Sequence, residues 1–154
     1  MKLLLTIVAS VLLLNAANVE VIADKFFADE KLNISVFTGN VTVTKQSDKL
    51  VADKVVIDFD EQRKPLKYTA TGSAEINMTI EDKKYFASSD TMIYDPVNSQ
   101  YTLIKNAFLH EIMTDKKVYG DRIWVNQLTG RYEVDSDGKK PVKLIFQVEE
   151  KKAK

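Results

Sequence analysis

Cysteine is absent from this sequence of 154 residues, and histidine occurs only once, as His110. Without cysteine, no disulfide can hold the fold together and no thiolate chemistry is available. A nucleophile–histidine pair would have to use His110, and the sequence has no serine elbow flanked by glycines. We therefore predict that the protein is not an enzyme. A secreted hydrolase that uses His110 is the alternative hypothesis.

An excess of one charge is also absent, since 22 Lys and Arg residues balance 22 Asp and Glu residues. Proteins that bind nucleic acid normally carry a basic stripe, so we predict no nucleic-acid partner. The carboxylates lie far apart along the sequence and do not cluster as calcium ligands do. We accordingly predict no metal site and no cofactor.

Long apolar runs are limited to residues 3–14, which follow the positively charged Lys2. A membrane-spanning helix needs about 20 apolar residues, so this run is too short to span comfortably. Small residues, Ala16 and Ala17, follow it where a signal peptidase would cut. We predict a cleaved signal peptide over residues 1–17, and a retained membrane anchor is the alternative.

The rest of the chain has the period-two alternation that is typical of β-strands. Val55, Ile57 and Phe59 would share one face of a strand, and the run from Ala74 to Ile80 repeats the pattern. Polar turn sequences separate such runs and imply about a dozen antiparallel strands, the first at 19–22 and the last at 142–148. We predict one all-β domain over residues 18–148 and a disordered polar tail over 149–154.

A short phrase that ends in a small residue and Asp recurs at a period of roughly 30 residues, which indicates a repeated β-unit. Its copies end at Asp24, Asp53 and Asp121, with a degraded copy at Asp90. We expect these carboxylates to bond their own nearby backbone in turns. A metal-binding role is the weaker alternative, because nothing clusters around them.

A second marker follows each of the first three units, at Gly39, Gly72 and Asn106. Glycine inside a strand marks a bulge, a bend or a backbone with positive φ. Among residues other than glycine, asparagine best tolerates a positive φ. We therefore predict a bulge, a bend or a backbone with positive φ at Gly39 and Gly72, with Asn106 in the equivalent place.

Three segments together, Phe37–Thr44, Leu50–Val56 and Val118–Ile123, resemble the OstA-like, LptA-type lipopolysaccharide transport proteins. The similarity extends from about Val19 to Val148 and includes the order and spacing of the markers. It implies an open, twisted antiparallel β-jellyroll built from repeated strand pairs, in the periplasm of a Gram-negative bacterium. It also implies that the acyl chains of lipid A lie in an apolar groove and that no reaction is catalysed.

The same resemblance implies partners. Protomers would stack head to tail into a bridge between an inner-membrane LptC-type protein and an outer-membrane LptD-type protein. An inner-membrane-anchored, LptC-like scaffold with the same β-fold is the alternative within this transport system.

The alternating apolar positions between the markers are our candidates for the functional site. We predict that the lipid-binding groove is lined by Val21, Val41, Val43, Ile57, Phe59, Ile76, Met78, Met92, Tyr94, Phe108, Ile123, Leu144 and Phe146. Each of them could instead belong to a packed core. An open sheet also exposes two edges that can pair with another chain, and we place these oligomer edges at Val19 and Val21 and at Leu144 and Phe146.

Overall fold

The computed structural model describes residues 18–151, and all regular structure within them is β-strand. The strands are β1 (Val19–Ile22), β2 (Lys25–Asp29), β3 (Ile34–Lys45), β4 (Asp48–Phe59), β5 (Pro65–Ile80), β6 (Lys83–Asp95), β7 (Gln100–Glu111), β8 (Lys116–Asn126), β9 (Tyr132–Asp135) and β10 (Lys143–Ile145). The predicted all-β class is confirmed, with ten strands in this part of the chain against the dozen expected. The predicted signal peptide lies outside the described residues.

All ten strands form one open antiparallel sheet. Its order is β1-β3-β4-β5-β6-β7-β8-β10, with β2 also beside β3 and β9 also beside β8. Seven of the nine connections are hairpins between neighbouring strands, and the exceptions are β1 to β2 and β9 to β10. Across residues 18–151 no helix is long and apolar enough to cross a membrane.

A row of bulges, which we call the spine, crosses the middle of the long strands β3 to β8. The register of each neighbouring pair shifts there. Two consecutive residues have positive φ in each of β3, β5 and β7, namely Gly39-Asn40, Gly72-Ser73 and Lys105-Asn106. Bulges with positive φ therefore occur at Gly39 and Gly72, within the readings predicted for these glycines. In the third bulge Lys105 takes the place of Gly39 and Asn106 that of Asn40, one position away from the predicted equivalence. The bulges align in space as well as in sequence.

The repeated aspartates lie on the spine too, but they bond differently from our expectation. Asp24 accepts a hydrogen bond from Asn40 Nδ2 at 3.0 Å, and Asp90 accepts from Asn106 Nδ2 at 3.2 Å. Each partner is 16 residues away, on the neighbouring strand of the sheet. The prediction of a bond to the local backbone was wrong at these two positions, because the extra residue of the bulge turns the asparagine side chain toward the next strand.

The spine divides the sheet into two layers whose inner faces pack together. Layer A comprises residues 25–38, 54–71, 91–104 and 122–135, and layer B comprises residues 19–22, 41–52, 74–89, 107–120 and 143–145. Leu103 and Ile123 of layer A and Ala74 and Ala87 of layer B are 0% exposed. Because each layer covers the inner face of the other, one hydrophobic core contains side chains from both.

The last strand is shorter than predicted. Of the expected residues 142–148, only Lys143, Leu144 and Ile145 pair, and they pair with the first half of β8. β9 occupies the second half of β8, so the edge of the sheet is divided between two short strands. Each of these edge strands pairs with β8 on one side only, so β10 lacks a second partner that would extend it. The chain from Phe146 to Lys151 is exposed and has no regular structure.

Candidate functional site

A cavity of about 570 Å³ lies between the layers on the side away from the spine, which we call the rim. Its volume falls in the range of roughly 300–1,000 Å³ that is typical of small-molecule sites. Layer B and its β3–β4 turn contribute Val19, Val43, Lys45, Gln46, Asp48, Leu50 and Ile76, and layer A with its turns contributes Val55, Pro65, Tyr68, Ala70, Met92, Tyr94, Pro96, Ser99, Tyr101 and Gln127. This cavity, called the groove below, is our candidate site.

The lining of the groove changes from apolar to polar between the spine and the rim. Val55, Ala70 and Met92 form its floor and are each 1% exposed. Lys45 and Asp48 stand at the rim, at the ends of the β3–β4 hairpin. Such a gradient suits an amphiphile whose apolar part enters the groove and whose polar part stays at the surface.

Three tyrosines form a row along the layer A wall of the groove. The ring centroids of Tyr68 and Tyr94 are 5.9 Å apart, and Tyr94 stacks on Tyr101 at 4.4 Å. The three residues are direct cross-strand partners on β5, β6 and β7. Burial raises the pKa of all three phenols above the usual value, so each hydroxyl stays protonated and can donate a hydrogen bond.

On the other side of the groove, beside β7, β8 and β9, polar contacts join the two layers. Gln127 Nε2 of layer A donates a hydrogen bond of 3.0 Å to the carbonyl oxygen of Thr79 in layer B. Lys116 Nζ of layer B lies 5.3 Å from the ring centroid of Tyr132 in layer A. We call the five residues Thr79, Glu111, Lys116, Gln127 and Tyr132 the polar closure.

Glu111 is the charged centre of the polar closure. Its side chain is 6% exposed and lies 3.4 Å from Lys116 Nζ and 3.7 Å from Lys83 Nζ. Partial burial alone would lower the pKa of Lys116, but Tyr132 and Glu111 together hold it above its usual value. Two lysine ammonium groups thus lie within ion-pair distance of this nearly buried carboxyl group.

The structure divides the predicted groove residues into several groups. Four of them line the groove: Val43, Ile76, Met92 and Tyr94. Four others are buried in the core: Val41, Ile57, Met78 and Ile123. Val21 and Phe59 are partly buried and pack against that core.

The remaining three predicted residues lie elsewhere. Phe108 is on the outer face of layer B, with its ring centroid 4.8 Å from that of Tyr119. Its neighbours Ala107 and Leu109 continue the inward alternation of Leu103 across the bulge. Leu144 and Phe146 are 49% and 59% exposed, at and just beyond the edge strand β10. Assigning these three to the groove was wrong, although the position of Leu144 agrees with its second assignment to an edge.

Several groove residues escaped the sequence analysis. Tyr68, Tyr101 and Leu50 each alternate with a buried residue two positions away, which is a signal that could have identified them. Gln127 had no such signal, because it follows the end of β8 and meets Thr79 across a separation of 48 residues.

His110 lies on the outer face of layer B, away from the groove. Its Nε2 atom is 2.7 Å from Asp115 Oδ1, and this hydrogen bond, with Lys117 nearby, lowers the pKa of the Asp115 carboxyl. The arrangement is that of a local hydrogen bond near the β7–β8 turn. Among residues 18–151, no group of three or more His, Cys, Asp or Glu side chains could hold a metal ion.

Both edges of the sheet consist of two short strands, one in each layer. At the first edge the chain passes from layer B to layer A, through β1 and then β2. At the last edge it passes from layer A to layer B, through β9 and then β10. The two edges therefore run in opposite directions and would pair antiparallel if one protomer followed another with the layers aligned.

Comparisons with known proteins agree with this architecture. A family model described as LptA/(LptD N-terminal domain) LPS transport protein matches residues 20–131. The crystal structure of LptH, the LptA homologous periplasmic component of the conserved lipopolysaccharide transport device from Pseudomonas aeruginosa, superposes with a TM-score of 0.76. That match has 20% sequence identity and covers 85% of this chain and 96% of the LptH chain, and it establishes the β-jellyroll fold. No curated protein sequence matches the chain.

Proposed function

We propose, since the chain belongs to the LptA/(LptD N-terminal domain) family of LPS transport proteins, that it is a periplasmic carrier of lipopolysaccharide. In this proposal the groove holds acyl chains of lipid A while the sugar headgroup stays outside the rim. The observation that carries it is the change of the lining from the apolar floor at Val55, Ala70 and Met92 to the polar rim at Lys45 and Asp48.

The free energy gained by burying an acyl chain supports this role. Burying one methylene contributes about 0.8 kcal/mol, so ten methylenes of an acyl chain contribute on the order of 8 kcal/mol before ordering costs. The protonated hydroxyls of Tyr68, Tyr94 and Tyr101 supply donors for the carbonyl groups of a lipid on the wall of the same groove. No reactive group is required for binding of this kind.

A photo-crosslinking residue at position 94 should capture lipopolysaccharide in cells, because Tyr94 lines the groove. The matched control is Phe108, an aromatic residue of comparable burial on the outer face, where we expect capture to fall to background. Lys54, which is exposed beside the spine, is a second control. Capture from positions 108 and 54 but not from 94, read on immunoblots for lipopolysaccharide, would exclude the groove as the lipid site.

We propose in addition that protomers join head to tail, with β9 and β10 of one protomer beside β2 and β1 of the next. The opposite strand directions of the two edges support this arrangement. With β9 beside β2 and β10 beside β1, neighbouring strands would stay antiparallel in both layers across the junction. Exposed apolar side chains occur at both edges, including Phe26 and Phe27 at the first and Leu144 and Ile145 at the last. A contact between two different edges leaves one of each kind free and so builds an open filament.

Proline at Leu144 and Phe146 together should weaken this self-association by roughly tenfold or more. The prolines remove the backbone donors of Leu144 in β10 and of Phe146 just beyond it, where pairing with the next protomer would extend the strand. An intermolecular hydrogen bond contributes about 0.5–1.5 kcal/mol. Sedimentation or light scattering would measure the oligomers, and circular dichroism would show that the monomer keeps its strands. The control is proline at Val148, which is 72% exposed and outside β10. Equal oligomer distributions in the double variant and the control would exclude this edge.

The ends of such a filament would meet the partners that the family resemblance implies. We propose an LptC-type inner-membrane protein at one end and an LptD-type outer-membrane protein at the other. Residues 1–17 would act as the export signal, the domain would comprise residues 18–148, and residues 149–154 would form a polar tail.

A further inference from the structure

We infer that Tyr68, Tyr94 and Tyr101 are three interchangeable hydrogen-bond donors for the carbonyl groups that join acyl tails to a headgroup. We call these residues the tyrosine row. A carbonyl group bonded to any one of them would lie at the same depth between the floor of the groove and its rim. The inference rests on the proposed function, because it concerns the same groove. It makes the separate statement that the groove distinguishes an acyl ester from an alkyl ether and that three side chains share this role.

The first argument is the depth of the tyrosine row. Tyr68 lies two residues from Ala70 along β5, and Tyr94 lies two residues from Met92 along β6. Two residues of a strand span about 7 Å, and alternate residues share a face. Since Ala70 and Met92 form the floor, the row lies one step nearer the rim, between the apolar and the polar parts of the lining. Tyrosine suits such a boundary, because its ring is apolar and its hydroxyl is polar.

The second argument is that the hydroxyls are available to a ligand. No hydrogen bond contributes to the raised pKa values of the three phenols, which result from burial and, for Tyr94 and Tyr101, also from neighbouring acidic groups. Among residues 18–151, no side-chain oxygen that is buried from solvent lacks a hydrogen-bond partner. The hydroxyl of Tyr101 must therefore be accessible, although the residue as a whole is only 5% exposed. Since Tyr101 lines the groove, its hydroxyl opens into that space.

The third argument is that the three tyrosines occupy equivalent positions. Tyr68 is the direct cross-strand partner of Tyr94, and Tyr94 is that of Tyr101. Neighbouring strands are about 4.8 Å apart, so the row offers one donor per strand along the groove. A carbonyl group that moves from one strand to the next at constant depth exchanges one hydrogen bond for another. The row therefore recognises the ligand without placing a barrier along the groove.

The test compares two glucose amphiphiles with the same number of tail carbons, below their micelle-forming concentrations. One is joined to its tail by an ester, and the other by an ether, which lacks the carbonyl group. Calorimetry measures the binding of each amphiphile to the whole protein. The unaltered protein should bind the ester about fivefold more tightly than the ether, which corresponds to one hydrogen bond of typical net strength.

Replacing tyrosine with phenylalanine keeps the ring and removes the hydroxyl. With all three tyrosines replaced, the preference for the ester should disappear, while the affinity for the ether stays within about twofold. Tyr94→Phe alone should lower the ester affinity by less than about twofold, because two donors remain. Tyr68→Phe combined with Tyr94→Phe should remove about half of the preference, and this double variant keeps the inference testable if the triple variant does not fold.

The matched control is Tyr119→Phe, which makes the same chemical change on the outer face of layer B and should keep the full preference. Absence of binding or of a preference in the unaltered protein would overturn the inference. So would a preference that survives in the triple variant, is undiminished in the double variant or is lost in the control. Complete loss in Tyr94→Phe alone would also overturn it, because the donor would then be a single fixed site.

Failure of the tyrosine row is distinguishable from failure of the proposed function. If position 94 captures lipopolysaccharide but the ester and the ether bind equally, the row alone is wrong. If the ester preference depends on the row but lipopolysaccharide is not captured, the row stands and the assignment of lipopolysaccharide as the ligand fails.

Discussion

Replacing Gly72 with alanine should destabilise the protein by about 2–4 kcal/mol, the largest effect we expect from adding a single methyl group. Gly72 has φ +82°, and an added Cβ would overlap Asp53 Oδ2 and lie 2.6 Å from Asp53 Cβ. The positive φ alone costs roughly 1–2 kcal/mol for a residue with a Cβ. The clash adds to this, because Asp53 is held by its own strand and both residues lie on the spine. Urea unfolding followed by circular dichroism would measure the loss.

Gly138→Ala separates the two contributions. Gly138 also has a positive φ, at +85°, but an added Cβ would meet no atom within 4 Å. We expect this control to lose only the backbone term, about 1 kcal/mol. Similar losses for Gly72→Ala and Gly138→Ala would mean that the close approach of neighbouring strands at the spine contributes nothing to stability.

Replacing Leu103 with alanine should cost about 2–5 kcal/mol of unfolding free energy. Leu103 is 0% exposed on the inner face of layer A, where both layers pack against it. Truncation removes three methyl or methylene-sized groups and leaves a cavity that strands fixed by the sheet on both sides cannot fill. The urea midpoint should fall accordingly, with an unchanged dependence on urea concentration.

Leu128→Ala is the control for Leu103→Ala. Leu128 lies in the turn after β8 and is 70% exposed, so its truncation should change stability by no more than about 0.5 kcal/mol. A loss below about 1 kcal/mol for Leu103→Ala would indicate that the layers can move together to close the cavity, which contradicts a rigid, two-layered core.

The sequence is most informative where a local rule has one physical solution. Glycine and asparagine inside β-runs predict the bulges because few other residues adopt positive φ, and the structure has bulges at Gly39, Gly72 and Asn106. Period-two alternation predicts an inward face because successive side chains of a strand point to opposite sides. On that basis the inward positions of Ile76 and Met92 followed directly.

The same rules fail where a bulge intervenes or where the layers meet. In β6 the inward positions change across the bulge, from Ala87 and Ser89 to Met92. In β7 they stay odd-numbered on both sides of the bulge, so alternation itself places Phe108 on the outer face. The bond between Gln127 and Thr79 joins residues 48 apart and depends on how the two layers pack. Local periodicity contains no information about how the two layers pack. The boundary of the groove near Gln127 could therefore not be predicted from the sequence.

The spine has a consequence for how proteins of this shape can change in length during evolution. Every long strand crosses from one layer to the other, so a unit of two consecutive strands contributes two strands to each layer at once. Duplication of one such unit, with its own Asp and its own glycine or asparagine, would lengthen both layers equally and extend the row of bulges by one period. Tandem duplication in the gene could therefore produce longer relatives without any intermediate that has mismatched layers.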